Sequence, residues 1–292
     1  MATIRELKRR IRSVKNIGQV TRAMEAVAAS KMRRAQEATL ASREYADKAN
    51  EVLTYLASQP RRGPVPSPLL VQREVNAIGL LLITPDRGLA GPLVSNILRT
   101  ALDFVKQQEV PVSVMAIGRK GAALLARHNY RMHAVFTDVL DLPSTTDVSP
   151  IARLVIDDYT DGVFDKVYLG YTDFVNTLVQ RPVIRPLLPV EPALPEERLP
   201  TVYTFEPDPQ TILNELVPRL TLLQIYQAIL EAQASEHSAR MVAMRNATEN
   251  AQELAQDLTL TYNKARQTAI TLEILDIAGG AEALAKARAE FA

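Results

Sequence analysis

Cysteine is absent from all 292 residues, which excludes a disulfide framework, a thiol nucleophile and a thiolate metal site. Long apolar runs are absent too. No stretch of about 18 apolar residues occurs, so nothing in the sequence is suited to span a bilayer as a helix. The start, Met1-Ala2-Thr3-Ile4-Arg5-Glu6-Leu7, lacks the apolar core of a secretory signal. It is basic, as a transit peptide would be, but its helical stripe runs on without a break, and it reads as mature helix. Proline and glycine are scarce at both ends. From Gln210 to Glu290 the one proline is Pro218, and the first glycines are Gly279 and Gly280. Residues 3–57 hold no proline and one glycine, Gly18. The usual catalytic signatures are missing: there is no G-x-S-x-G elbow, phosphate-binding lysine loop or GxGxxG fingerprint.

The proline-poor ends carry helical patterns. Small or apolar residues recur at Met244, Ala247, Ala251, Leu254, Leu258, Thr261, Ala265, Thr268, Leu272, Leu275 and Gly279. That spacing of three and four is a heptad seam. At about 1.5 Å per residue the segment would reach about 120 Å if unbroken, too far to be covered by its own chain. The seam is thin, because Ala and Thr stand where Leu or Ile would bury more area, so it suits a narrow shaft in a tight sleeve. At the other end Ile4, Leu7, Ile11, Val14, Ile17, Thr21, Met24, Ala28 and Met32 form a second stripe. The two stripes predict an antiparallel coiled coil of the terminal helices, with a middle domain turning the chain around. Pro218 predicts a kink, or a helix start just before it.

Charge is unevenly spread. Through Arg34 there are ten basic residues and two acids, net +8, in a chain of net +1, leaving −7 for the rest. A focused positive helix wants a negative partner. Nucleic acid would supply phosphates, but a phosphate-binding helix has no need of a seam through Val14, Thr21 and Ala28, so a protein partner is the expectation.

Twelve of the 18 prolines fall in two clusters, Pro60 to Pro68 and Pro182 to Pro209, and these divide the chain. The division expected is a helix over 1–58, a linker over 59–73, a middle domain over 74–189, a Pro-rich linker over 190–208 and a helix over 209–292. In the middle the period changes. Strand patterns at Val75–Ile83, Val112–Ile117, Met132–Phe136 and Lys166–Tyr171 alternate with helix patterns at Leu93–Gln107, Arg119–Arg127 and Ser149–Tyr159. An extended pair follows around Thr177–Arg185. The alternation predicts a mostly parallel α/β sheet.

Candidate sites in the middle are weak. The loop Thr84-Pro85-Asp86-Arg87-Gly88-Leu89-Ala90-Gly91 follows the first strand, where open α/β sheets often bind ligands, but it reads as a structural turn or docking loop. Ile117-Gly118-Arg119-Lys120-Gly121 could hold an anion at a helix N-terminus, and a plain turn accounts for it as well. His128 and His133 are five apart and His237 is distant, so no metal is expected. Asp157, Asp158 and Asp161 read as a solvated helix end rather than an acid–base pair. No catalytic residue and no cofactor are expected.

Three stretches carry a resemblance. They are Val20 to Gln36 (VTRAMEAVAASKMRRAQ), the loop Asp86-Arg87-Gly88-Leu89, and Ser235 to Met244 (SEHSARMVAM) continuing through Tyr262 to Gln267 and Ile270 to Asp276, with Gly280-Ala281. In these the chain resembles the gamma subunit of F-type ATP synthase over essentially its whole length. The resemblance implies a Rossmann-like foot domain beside the coiled coil. It implies a non-catalytic rotor turning inside a ring of alpha and beta subunits, with the epsilon subunit and the c-subunit ring as further partners. It implies no nucleic acid, contact with the membrane only through the c-ring, and a place at the cytoplasmic face of the bacterial plasma membrane. Carried over as alpha/beta contacts are Met24, Arg266, Gln267, Thr271 and Glu273. Glu236 and Arg240 are carried over as coupling residues at the foot end. Ala90 stands where many members carry cysteine, and no cysteine-bearing insert lies near Val190 to Tyr203, so no thiol switch is expected.

Overall fold

A computed structural model describes residues 3–58, 67–139, 141–190 and 209–290. Two long helices bracket the chain, α1 (Ile4–Ser58) and α5 (Pro209–Glu290). Between them lie β1 (Ile78–Ile83), α2 (Leu93–Gln107), β2 (Val112–Ile117), α3 (Arg119–Arg127), β3 (Met132–Phe136), α4 (Thr145–Thr160), β4 (Lys166–Phe174) and β5 (Gln180–Leu188). The Pro-rich linker expected over 190–208 lies outside the described residues except for Val190. The chain divides into two compact units, Met1–Ala26 with Met244–Ala292, and Val27–Ala243.

In the first unit the two helix segments run antiparallel. Gly18 faces Ala251, the Thr21 hydroxyl lies 2.7 Å from that of Thr248, and Arg245 Nε donates to Glu25 at 2.9 Å. The covered stripe on α5 is Met244, Thr248, Ala251 and Ala255, followed by half-buried Leu258, Tyr262, Ala265 and Ala269. This corrects the seam expected from the sequence, which placed Ala247, Leu254, Thr261 and Thr268 in the alternate positions. Leu254 is 48% exposed, and Thr261 and Thr268 face outward. On α1 the same correction replaces Ile17, 53% exposed, with Gly18. The reason is the closeness of the helices. A Cβ on Gly18 would lie 3.4 Å from the Ala251 Cβ, so glycine and alanine are admitted and the bulkier Ile17 and Leu254 turn out.

The threonine pair is the polar point of this seam. Thr21 also approaches the Gly18 carbonyl (3.1 Å) and Thr248 the Met244 carbonyl (2.9 Å). Two hydroxyl protons thus serve three short oxygen contacts. One hydroxyl must give its proton across the seam rather than to its own helix.

In the second unit the sheet order is β3-β2-β1-β4-β5, parallel except for β5, which returns antiparallel to β4. Alternation along β1 splits the core in two. Leu80 and Leu82 pack with Ile97, Leu98 and Ala101 of α2 and Leu125 of α3. Leu81 and Ile83 pack on the other face with Val148, Ile151 and Val155 of α4 and with Val217, Leu220, Ile225 and Ile229 of α5. The first part of α5 therefore supplies the second helix that α4 alone could not. Met241 packs with Ala28 and Met32 of α1.

Several expectations shift at their edges. Strand β1 begins at Ile78 rather than Val75. Helix α4 begins four residues early, because Ser144 and Asp147 close a capping box at its start. The extended pair resolves into the β4–β5 turn, where the Asn176 side chain accepts from Leu178 and Val179, and one strand, β5. Pro218 lies inside α5, whose start is Pro209. The carbonyl it leaves without an amide is that of Asn214, which is exposed and can meet water.

Two substitutions test the seam. Gly18→Ala should be tolerated and Gly18→Leu strongly destabilising, read as the urea midpoint of the full chain. Thr21→Val or Thr248→Val alone should cost about 1–2 kcal/mol, and the double variant less than their sum, because the second change removes the stranded hydroxyl.

Candidate functional site

The ends of β1 and β2 are closed by their own chain. The Thr84 hydroxyl donates toward the Ile117 carbonyl (3.0 Å) and accepts from the Gly121 amide (3.0 Å). Asp86 accepts from the amides of Arg119 (2.8 Å) and Asp138 (3.1 Å), and the Pro85 carbonyl accepts from the Lys120 amide. The first amides of α3, where an anion would sit, are thus taken by a carboxylate, a carbonyl and a hydroxyl of the first loop. Gly118 makes this closeness possible: its φ is +96°, and a Cβ there would lie 1.8 Å from the Thr84 carbonyl oxygen. The structural reading of both loops holds.

The rest of that first loop docks on α5. Arg240 Nη2 donates to the Gly88 carbonyl (3.2 Å) and to Glu236 Oε1 (2.7 Å), one turn away. Its Nη1 lies 3.4 Å from His237 Nδ1. On its far side His237 Nε2 is 3.4 Å from Asp141 Oδ1, and Asp141 Oδ2 accepts from Lys31 of α1. The loop bearing Asp141 is held to α5 as well, because Gln233 Oε1 accepts from the Leu142 amide (3.1 Å). The structure thus brings together Glu236 and Arg240, expected from the sequence, with Gly88, His237, Asp141 and Lys31, which were not assigned to a site. The sequence alone raises His237 only as a distant candidate for metal binding.

Electrostatics in this cluster follow from burial. His237 is 4% exposed, and burial, helped by the nearby Arg240 and Lys31 charges against Asp141, pushes its pKa down to about 4. Burial pushes the Glu236 carboxyl up, with Arg240 opposing. Burial would raise Asp141 also, but the Lys31 hydrogen bond and charge, with His237 and Arg87, hold it below the ordinary range.

The other residues carried over lie elsewhere. Met24 is half-buried on α1. Arg266, Gln267, Thr271 and Glu273 are exposed on α5, and Thr271 donates to the Gln267 carbonyl (3.0 Å). Around them Ile270, Leu272, Ile274, Leu275 and Ile277 are 44–68% exposed. Of the other histidines, His133 pairs with Asp158 at 2.8 Å, so one of the three aspartates expected to be solvated is engaged.

A family model described as ATP synthase matches residues 3–284. The ATP synthase gamma chain of Dehalococcoides mccartyi (strain CBDB1) is 51% identical over 98% of this chain and 100% of its own. That of Roseiflexus sp. (strain RS-1) is 51% identical with the same coverage. Among solved structures, the Euglena gracilis mitochondrial ATP synthase rotor aligns with a TM-score of 0.66 at 18% identity, over 91% of this chain and 98% of that one. The Tetrahymena thermophila mitochondrial ATP synthase central stalk and c-ring structure aligns at 0.58 and 24%, over 78% and 99%.

Two measurements test the cluster. Between about pH 6.5 and 4 the unfolded chain protonates His237 and the folded chain does not, so stability falls as pH falls through that window. His237→Gln removes this loss. Relative to wild type it should gain roughly 2–3 kcal/mol on going from pH 7 to 4.5 in urea unfolding, with the opposite contribution of Glu236 common to both proteins. Gly118→Ala should unfold the α/β unit at far lower urea than wild type.

Proposed function

The chain belongs to the ATP synthase gamma chain family, and from that premise we propose how its surface does the work of the assembly. The protein is the central-stalk rotor subunit of an F-type ATP synthase. It is non-catalytic. It turns within the alpha/beta hexamer and couples transmembrane proton flow to ATP synthesis or hydrolysis on the beta subunits, with the epsilon subunit and c-ring as its other partners. It belongs to a membrane-associated complex, and no helix among the described residues is long and apolar enough to cross a membrane. We place it at the cytoplasmic face of the bacterial plasma membrane, held there through the c-ring.

The observation that carries the reading is the apolar stretch of α5. Ile270, Leu272, Ile274, Leu275 and Ile277 step around the helix at 100° per residue and so spread over an arc of about 220°, with Glu273 and Asp276 on the remaining side. One partner helix would cover a single stripe. Covering an arc that wide takes more than one neighbour, which a ring of alpha and beta subunits provides. The basic residues of α1, nearly all exposed, suit acidic loops of the beta subunits.

One asymmetric shaft meets three chemically identical beta subunits through different faces. Each beta subunit is biased only by the difference in contact free energy between its conformations. In this role Arg266 offers a forked, permanently charged donor and Gln267 a neutral one, beside Thr271, Glu273 and Met24. Glu236 and Arg240 act at the other end, where α5 meets the α/β unit.

Arg266→Ala with Gln267→Ala should lower ATP-driven proton pumping or assembly of the complex while leaving the thermal unfolding of the isolated chain unchanged, since both side chains are exposed and held by no other described residue. Equal loss of thermal stability would count against contact with the ring. The purified chain alone should hydrolyse no ATP above background.

A further inference from the structure

We propose that His237 is a positioning residue for coupling: as a neutral ring protonated on Nε2, it aims Arg240 at the β1 loop and ties that contact to Lys31 of α1 through Asp141. The proposal rests on the reading of Arg240 as a coupling residue.

Donor and acceptor chemistry fixes the tautomer. A guanidinium has only donors, so the ring nitrogen 3.4 Å from Arg240 Nη1, Nδ1, must accept. A carboxylate paired with lysine has only acceptors, so Nε2, 3.4 Å from Asp141 Oδ1, must carry the proton. The neutral ring therefore transmits one directed chain: Lys31 donates to Asp141, which accepts from His237, which accepts from Arg240, which donates to the Gly88 carbonyl and to Glu236. Among the described residues, the charged groups that face the ring come from three elements. Lys31 comes from α1, Asp141 from the β3–α4 loop, and Glu236 and Arg240 from α5 itself. Arg87 and Asp86 of the β1 loop lie behind Asp141 and Glu236.

The geometry also explains why the residue is not interchangeable with an apolar one of the same size. Without an acceptor on the Nδ1 side, Arg240 loses one of three partners and the rotamer that points it at Gly88 loses its constraint. Without a donor on the Nε2 side, Asp141 loses its second partner, and the polar link between α1 and α5 through Asp141 is cut, leaving the packing of Met241 on Ala28 and Met32. A second proton on the ring would place N–H against guanidinium and have the same effect on Arg240.

The test uses the assembled complex in proton-tight vesicles. His237→Leu should lower protons pumped per ATP hydrolysed, because one lost hydrogen bond shifts the balance between aimed and unaimed Arg240 by about fivefold. His237→Gln should keep the wild-type ratio, because its Oε1 can accept from Arg240 while its Nε2 donates to Asp141. A His237→Leu complex that pumps like wild type, or a His237→Gln complex as impaired as His237→Leu, overturns the proposal. Arg240→Ala separates this from the reading beneath it. If Arg240→Ala pumps normally, the coupling role of Arg240 falls. If it is damaging while His237→Leu is harmless, only the positioning role falls. Should His237→Leu not assemble, the wild-type chain decides. With three histidines in all, selective ¹⁵N labelling resolves each ring. The signature expected is a bare Nδ1 and a protonated Nε2 that persist below pH 6. The opposite tautomer, or a ring that titrates near its ordinary value, overturns the assignment.

Discussion

A guanidinium can only give hydrogen bonds, and the second unit is arranged to satisfy one. Arg240 sits on α5 with a carboxylate one turn back, a ring nitrogen three residues back and a main-chain carbonyl of the β1 loop in reach. Helix geometry places Glu236, His237 and Arg240 on one face, but Gly88 arrives there only because Thr84 and Asp86 have already bent the loop onto α3. The sheet, the loop and the long helix are thus set by a chain of polar contacts rather than by apolar packing alone. Burying these charges carries a desolvation cost, and the arrangement tolerates it because each charge has a partner and direction. Charged groups held this way fix a geometry more than they stabilise it.

The sequence conveyed the α/β pattern well because that pattern is local. The period changes from helical to alternating within a few residues at Val112 and back at Arg119, and the structure follows. The start of α4 was less legible, since Ser144 and Asp147 act as a cap and carry no periodic signal. The seam was half legible. Met244, Ala251, Leu258 and Ala265 are shared by both registers, but between them Ala247 competes with Thr248 and Leu254 with Ala255. Deciding these requires knowing how near the partner helix comes, and no local pattern carries that. The same blindness hid Gly18 behind Ile17. His237 was invisible as a positioning residue because Asp141 and Lys31, which give it a role, lie far away along the chain.

The character of the helix pair follows from its small residues. Gly18, Ala251 and Ala255 bring backbones close but bury little apolar area, so the pair gains less from the hydrophobic effect than a Leu seam would. The Thr21–Thr248 contact adds a directional element at this weak point. The close approach of Gly18 to Ala251 sets the spacing there, and the pair of facing hydroxyls adds a directional reason to hold one axial alignment. Narrowness leaves the larger aliphatics, Ile17, Leu254 and those from Ile270 to Ile277, on the outside. Under the function proposed above, these side chains are what the other subunits meet, so surface that would be a liability in a free chain becomes the part that does the touching.

The closing of α3 by Asp86, Pro85 and Thr84 has a consequence at the scale of the cell. A helix start with its amides free can sense phosphate or nucleotide, and its surroundings then soften or stiffen with supply. Here that terminus is already filled from within, so the phosphate and nucleotide levels of the cell find no vacant amides at this corner of the rotor.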